Sequence, residues 1–312
     1  MTSALRILIA SLILLVSVSL ARAAVCTATV DDLNFGAVDV IGNVATDTAA
    51  NVTISCDGIT PGTDSITVCA GLGAGDGGAD AGIRQSVAGA GRLGYVLYQS
   101  DHATRWGSID DASLGEPYRI DIPVSGTTAA TTRQLYGTVP RGQPTVPVGI
   151  YHAAFSSADA VFTYAEGNLD CSSPAGGKQS TASFAVSASV VANCLLNTND
   201  LDFGRTGIIG DNIDAETSLS ITCTPGADYA IGIDGGGAAD PSHRLLRSGS
   251  NTVSYGVYSD PGRGSIWGTA TGSTLSGVGD GAGRTYPVYG RIPPQPAVAG
   301  AYSDTVVVTI TY

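Results

Sequence analysis

Thr305-Val306-Val307-Val308-Thr309-Ile310-Thr311-Tyr312 is the cleanest strand in the sequence. Val306, Val308, Ile310 and Tyr312 fall on one side, with Thr305, Val307, Thr309 and Thr311 on the other. That is the period-two pattern of a β-strand with one face on a core. Similar runs recur at 51–56, 65–69, 219–223 and 229–233 between Gly, Pro, Asn and Asp punctuation. Downstream of the N-terminal region, no long segment has the 3.6-residue period of an amphipathic helix. Many short strands separated by turn signals predict an all-β chain of antiparallel sandwiches.

The sequence repeats itself. Cys26, Leu33-Asn34-Phe35-Gly36 and Cys56 answer to Cys194, Leu201-Asp202-Phe203-Gly204 and Cys223. Farther on, Tyr95, Tyr98, Trp106-Gly107, Tyr136-Gly137 and Gly149-Ile150-Tyr151 answer to Tyr255, Tyr258, Trp267-Gly268, Tyr289-Gly290 and Gly300-Ala301-Tyr302. The spacing predicts two tandem immunoglobulin-like domains, 24–191 and 192–312. The shared pattern closes near Tyr164 in the first repeat and at Tyr312 in the second. The first repeat then continues through a loop holding Cys171 into Phe184-Ala185-Val186-Ser187-Ala188-Ser189-Val190. Here Phe184, Val186, Ala188 and Val190 point one way and the small residues between them the other. An interdomain linker would favour Gly, Ser and Pro without alternation, so this run reads as a strand. We expect strand 184–190 to complete the first sandwich in cis and the second sandwich to lack its final strand. A sandwich short of a strand leaves an apolar groove that another chain's strand can fill. Val306, Val308, Ile310 and Tyr312 would form its edge.

Residues 1–23 read as a secretory signal: Arg6, an apolar run from Ile7 to Leu20, and the small-x-small site Ala21-Arg22-Ala23. The run is short for a membrane span. All six cysteines (Cys26, Cys56, Cys69, Cys171, Cys194 and Cys223) follow it, and an even count in an exported chain favours disulfides. Matching positions in the two repeats suggest Cys26–Cys56 and Cys194–Cys223, leaving Cys69 for Cys171, among the ~15 pairings that six cysteines allow. Loss of Arg6 and Arg22 takes the formal charge from −12 to −14, which argues against nucleic acid as a partner.

The order Cys, Leu-x-Phe-Gly, Cys, Tyr-x-x-Tyr, Trp-Gly, Tyr-Gly, Gly-x-Tyr, closing on Asp304-Thr305-Val306-Val307-Val308, resembles the spore coat protein U domain. That domain is found in pilus subunits of archaic (Csu-type) chaperone–usher systems. The resemblance covers nearly all of 26–312 and is closer in the second repeat. The first departs from it in His152-Ala153-Ala154-Phe155 after Tyr151, in two extra cysteines and in a longer stretch between Trp106 and Tyr136. It implies pilin-type sandwiches, each completed by the N-terminal extension of the next subunit after a chaperone has held the groove. The partners implied are a periplasmic pilus chaperone, an outer-membrane usher and an adjacent pilin donating its strand in trans. Only Ala24 and Val25 separate the expected cleavage site from Cys26, short of the ~5–6 residues of a strand. The expectation is therefore a subunit that accepts a strand and donates none: the tip adhesin of a surface pilus, attaching cells to surfaces in biofilms.

The contact surface is expected at the end of the first domain farthest from the second. Strand 184–190 runs toward the second domain, which puts loop 165–180 at the far end. A Cys69–Cys171 bridge would hold loop 70–79 beside it, with 126–131 as a third loop. Leu72, Ala74, Ala79, Ala129, Ala130 and Leu169 would form a mildly apolar patch for an abiotic or host surface. A lectin using these loops and an exported spore-coat-like protein are the alternatives. His102, His152 and His243 sit in no nucleophile–base motif. Asp110, Asp111 and Glu116 read as solvated loop residues, and the Gly/Asp runs lack the nine-residue period of calcium repeats. Neither catalysis nor a cofactor or metal is expected.

Overall fold

The computed structural model describes residues 24–312; the expected signal segment lies outside them. In the first domain the strands are β1 (Val25–Val30), β2 (Leu33–Val38), β3 (Thr46–Asp57), β4 (Ser65–Leu72), β5 (Ala79–Asp80), β6 (Ile83–Ala88), β7 (Gly91–Tyr98), β8 (Tyr118–Pro123), β9 (Thr128–Val139), β10 (Gly149–Glu166) and β11 (Lys178–Val190). One sheet runs β1-β3-β9-β7-β6 and the other β8-β4-β10-β11-β2, the two meeting through a single Val87–His152 pair. Inward-facing residues of both sheets, among them Leu33, Val52, Val68, Leu97, Phe155, Phe162 and Val186, form the core.

The second domain comprises β12 (Cys194–Thr198), β13 (Ile213–Cys223), β14 (Asp228–Ile233), β15 (Arg244–Ser248), β16 (Asn251–Tyr258), β17 (Leu275–Val278), β18 (Gly283–Ile292) and β19 (Val308–Thr311). Its larger sheet, β12-β13-β18-β16-β15, repeats the first sheet of domain one strand for strand. Its smaller sheet, β17-β14-β19, repeats β8-β4-β10 and stops there. A separate core gathers Leu219, Ile231, Tyr255, Val257 and Trp267.

The repeated sequence landmarks are repeated contacts. In Leu-x-Phe-Gly, the side chain of Asn34 or Asp202 accepts the N–H of the glycine two residues on at 2.8 Å. Gly36 and Gly204 take φ of +67° and +71°, which an L side chain rarely adopts. Gly137 and Gly290 let the apolar pair of that motif press onto the opposite sheet. A Cβ there would meet Leu33 Cδ2 at 2.5 Å or Leu201 Cδ2 at 2.6 Å. Trp106 Nε1 donates to Ala70 O (2.8 Å) and Trp267 Nε1 to Ile231 O (2.9 Å). Both indoles are fully buried with their N–H satisfied.

Disulfides join Cys26 to Cys56, Cys194 to Cys223 and Cys69 to Cys171. The first two clamp β1 to β3 and β12 to β13, each at a directly opposed pair. The third ties β4 to the loop between β10 and β11. Three residues link β11 to β12. Across this junction Val148 N–H donates to Pro225 O (2.9 Å) and Asn193 Nδ2 to Asp39 Oδ2 (2.7 Å).

Candidate functional site

β11 lies between β10 and β2. It pairs antiparallel with β10 from Gly149–Val190 to Tyr164–Lys178, and parallel with β2 from Leu33–Val186 to Val38–Val190. Phe184, Val186, Ala188 and Val190 point into the core and are buried. Phe184 stacks on Phe155 at 4.3 Å between ring centroids. The alternation read in the sequence is therefore a strand that closes the first domain from within the same chain.

The second domain has the two flanks of this arrangement without its middle. β19 pairs with β14 alone, and 201–206, the counterpart of β2, belongs to no strand. Among the described residues nothing hydrogen-bonds the free edge of β19 as a strand. The consequence is read in burial. Leu33 and Phe35 are buried, while Leu201 and Phe203 at the matching positions are half-buried; Tyr151 is buried and Tyr302 is not. Tyr302, Val306, Val308 and Ile310 pack against the core on one side and stay partly open on the other. The inward alternation 302, 304, 306, 308, 310 matches the sequence reading for Val306, Val308 and Ile310. Tyr312 shares their face but is exposed, its hydroxyl donating to Asn193 Oδ1 at 3.4 Å. β19 itself is shorter than the expected 305–312 strand, because a segment with one partner forms fewer ladder bonds.

Asp304 lies in the middle of this face. Its Oδ2 accepts from Tyr255 Oη (2.8 Å) and its Oδ1 from Gly237 N–H (3.0 Å). Burial first, then the Asp304 hydrogen bond, pushes the Tyr255 hydroxyl well above its usual range. Domain one has Ala153 at this level, and Tyr95 Oη, buried at the counterpart of Tyr255, has no hydrogen-bond partner.

Sequence reasoning missed two pairs of positioning residues. Arg84 donates to the carbonyls of Leu72, Gly73 and Trp106, and Arg244 to those of Ile233, Asp234 and Trp267. Each guanidinium ties the end of a strand (Leu72 of β4 or Ile233 of β14) to the carbonyl of the buried tryptophan. Burial lowers Arg84 to about 10. Gln143 brackets Gly94, and Gln295 brackets Ser254, each through both backbone groups. Closer alignment of the repeats would have found all four, since each recurs at the matching place.

The contact loops need correction. Leu72 is 0% exposed on β4, Ala129 is buried on β9, and Leu169 is buried in the loop between β10 and β11. Ala74 is half-buried; Ala79 and Ala130 are exposed. Nor do these residues share one end. Ile66 pairs with Glu166 and Leu72 with Ala160, so β4 runs from the far end toward the second domain. Loop 73–78 consequently lies at the β10 bulge, where Gly73 N–H donates to Asp159 O and Asp76 N–H to Ala154 O. The far end consists instead of 57–65, 123–128 and 166–178, with Ala24 O accepting from Lys178 Nζ (2.8 Å). Of the exposed large hydrophobics among the described residues, only Val25 lies there. What the far end does hold is a polar cleft of about 620 Å³ lined by Thr63, Asp64, Thr67, Arg119, Asp121 and Glu166, among others. Arg119 is fixed by Asp121, Asn168 Oδ1 (2.8 Å) and Leu169 O. Glu166 accepts from Thr60 N–H and Thr63 Oγ1, both at 3.1 Å.

A family model described as the Spore Coat Protein U domain matches residues 12–156 and 180–309. The chain belongs to the spore coat protein U domain family. Protein U of Myxococcus xanthus is 32% identical over 178 residues, covering 51% of this chain and 99% of that protein. Among solved structures, a chain of the CsuC–CsuE chaperone–tip adhesion subunit pre-assembly complex from archaic chaperone–usher Csu pili of Acinetobacter baumannii is similar at TM-score 0.54. It shares 15% identity, covering 92% of this chain and 100% of that one. The CupB6 tip adhesin from Pseudomonas aeruginosa gives TM-score 0.37 at 15% identity, covering 93% and 94%. Among the described residues no helix is long and apolar enough to cross a membrane, and no three His, Cys, Asp or Glu side chains gather as a metal site.

Proposed function

We propose that this chain is the tip subunit of a chaperone–usher pilus, with a strand-accepting second domain and a contact-making first domain. The observation that carries the reading is the gap between β19 and 201–206, where domain one holds β11. Unfilled, that gap exposes apolar side chains and a row of unpaired backbone groups, a state that recruits a strand. The likeness in fold to a chain from a chaperone–tip subunit complex supports the same reading. A periplasmic chaperone would hold the groove before assembly, an outer-membrane usher would pass the subunit on, and an adjacent pilin would then fill the groove in trans at the cell surface.

Limited proteolysis of the full chain, alone and with a C-terminally fused alternating Val/Thr strand, tests this. The expected result is preferential cleavage within 194–312 in the bare chain and protection in the fused one. Equal resistance in both would overturn the acceptor reading.

For contact, the polar character of the far end favours a hydroxyl-bearing surface over a hydrophobic one. Hydrogen-bonding groups from Thr63, Asp64, Arg119 and Asp121 line its cleft, and both leucines of the expected apolar patch, together with Ala129, are buried. Adhesion of the intact pilus to polysaccharide-coated and bare polystyrene, compared for Arg119→Ala and Asp64→Ala, separates these choices. Loss on the coated surface alone supports the polar reading, and loss on neither removes the cleft from consideration.

A further inference from the structure

The chain contains, between its own two domains, a finished example of the junction that its second domain lacks. The second family match begins at residue 180, inside β11 and 14 residues ahead of Cys194. By that register β11 is the leading segment of the second repeat, folded back into the first. It passes through three residues, 191–193, into a body that seats its 224–226 turn on the base of domain one at Val148.

The base of domain two is the same surface left bare. Ile208 aligns with Val40 through Val40-Ile41-Gly42 and Ile208-Ile209-Gly210. Val40 is 5% exposed and Ile208 is 94% exposed. Val298 matches Pro147, since each carbonyl accepts the Tyr302 or Tyr151 hydroxyl at 2.8 Å. Val298 is 61% exposed, whereas Pro147 is half-buried. Groove and base are therefore open together, as two parts of one seat.

We infer that the leading segment filling domain two carries the inward pattern of β11 (aromatic, x, β-branched, x, alanine, x, β-branched) and that the first turn of its subunit seats on Ile208 and Val298. This rests on the groove reading and adds register, residue size and a docking face to it. In domain one Phe184 faces Phe155, Val186 faces Ala153 and Ala188 faces Tyr151. The matching levels in domain two are Val306, Asp304 and Tyr302. Val306 is smaller than Phe155 and leaves room for an aromatic ring. Both oxygens of Asp304 are already engaged, so its level accepts an apolar neighbour. Tyr302, held by Val298 O, leaves room only for a small residue. The occupant runs parallel to 201–206 and antiparallel to β19, as β11 does to β2 and β10. It starts beside Tyr312, next to domain one, and leaves past Tyr302 toward Ile208 and Val298.

Because this strand starts beside Tyr312, a hairpin of a few residues after Tyr312 delivers it. The test is the full chain carrying such a turn and a second copy of residues 178–190. It is compared with a copy bearing Ala188→Phe, with a copy bearing Phe184→Asp, and with the generic alternating Val/Thr strand. Proteolysis within 194–312 is expected to slow about ten-fold or more with the β11 copy, and by much less with either variant. If the generic strand protects and the β11 copy does not, the template is wrong while the acceptor groove stands. If Ala188→Phe protects as well as the unaltered copy, the size order is wrong. If nothing protects, both the groove and the template fall.

Discussion

Tyr95 and Tyr255 occupy one position in two copies of the same sandwich and face opposite fates. Tyr95 Oη is buried without a partner, whereas Tyr255 Oη donates to Asp304. An unpaired buried hydroxyl costs about 1–3 kcal/mol, and removing one partner of a pair exposes the other to that cost. Tyr95→Phe should leave the denaturant midpoint of domain one unchanged or raise it. Tyr255→Phe should lower the unfolding free energy of a strand-completed domain two by about 1–3 kcal/mol. The glycines give a second contrast. Gly137→Ala drives a methyl into Leu33, which is buried on a paired strand, at a cost of about 1–3 kcal/mol. Gly290→Ala presses on Leu201 in an unpaired segment that can yield. It should cost little in the open domain and more once the groove is filled. Equilibrium unfolding of each variant, with and without the fused strand, checks the crossing of the two effects.

At the scale of elements, domain one alone has β11, the loop ahead of it and the bridge that anchors the loop. Cys69–Cys171 spans 102 residues, and loss of such a link typically costs about 2–5 kcal/mol. Cys69→Ala with Cys171→Ala should lower the unfolding midpoint of domain one and leave domain two as it was, by calorimetry. The same end carries a pH dependence of definite sign. Thr67 and then Arg119 hold Asp121 below the ordinary carboxylate range, and hydrogen bonds from Thr60, ahead of that from Thr63, do the same for Glu166. A depressed folded pKa means stability that is present above the unfolded value and lost as pH falls through the folded one. The far end of domain one should therefore be fully held above about pH 5 and loosen progressively below about pH 4. Amide exchange across 60–67 and 166–171 at falling pH checks this, and Asp121→Asn should remove its share of the slope.

For the whole molecule, the contrast is between a domain whose second sheet continues past β10 through β11 to β2 and one whose second sheet stops at β19. Domain one has β11 stacked through Phe184 on Phe155 and two bridges of its own. Phe184→Ala should cost it about 3–5 kcal/mol, the usual range for a buried aromatic. Domain two has one bridge and a sheet that stops at β19. Denaturation of the bare chain should therefore show two transitions, the earlier belonging to 194–312. A strand supplied in trans should move that transition alone, by mass action.

The sequence by itself determined the fold class, the doubling, the cysteine partners suggested by the repeat and the direction of 184–190. Each of these is written in local periodicity or in the recurrence of whole motifs, and the alternation of Phe184, Val186, Ala188 and Val190 needs no partner to be visible. Only the tertiary structure decided which neighbours those residues meet. It showed β11 parallel to β2 and antiparallel to β10, Asp304 set against Tyr255, and Arg84 and Arg244 holding the carbonyls of Trp106 and Trp267. It also moved Leu72, Ala129 and Leu169 from an imagined surface into the core, because burial depends on which sheet covers a side chain. Pairing across long sequence separations is a property of the assembled sandwich. A one-dimensional pattern records that a face is apolar, and leaves open whether the chain itself or a partner comes to cover it.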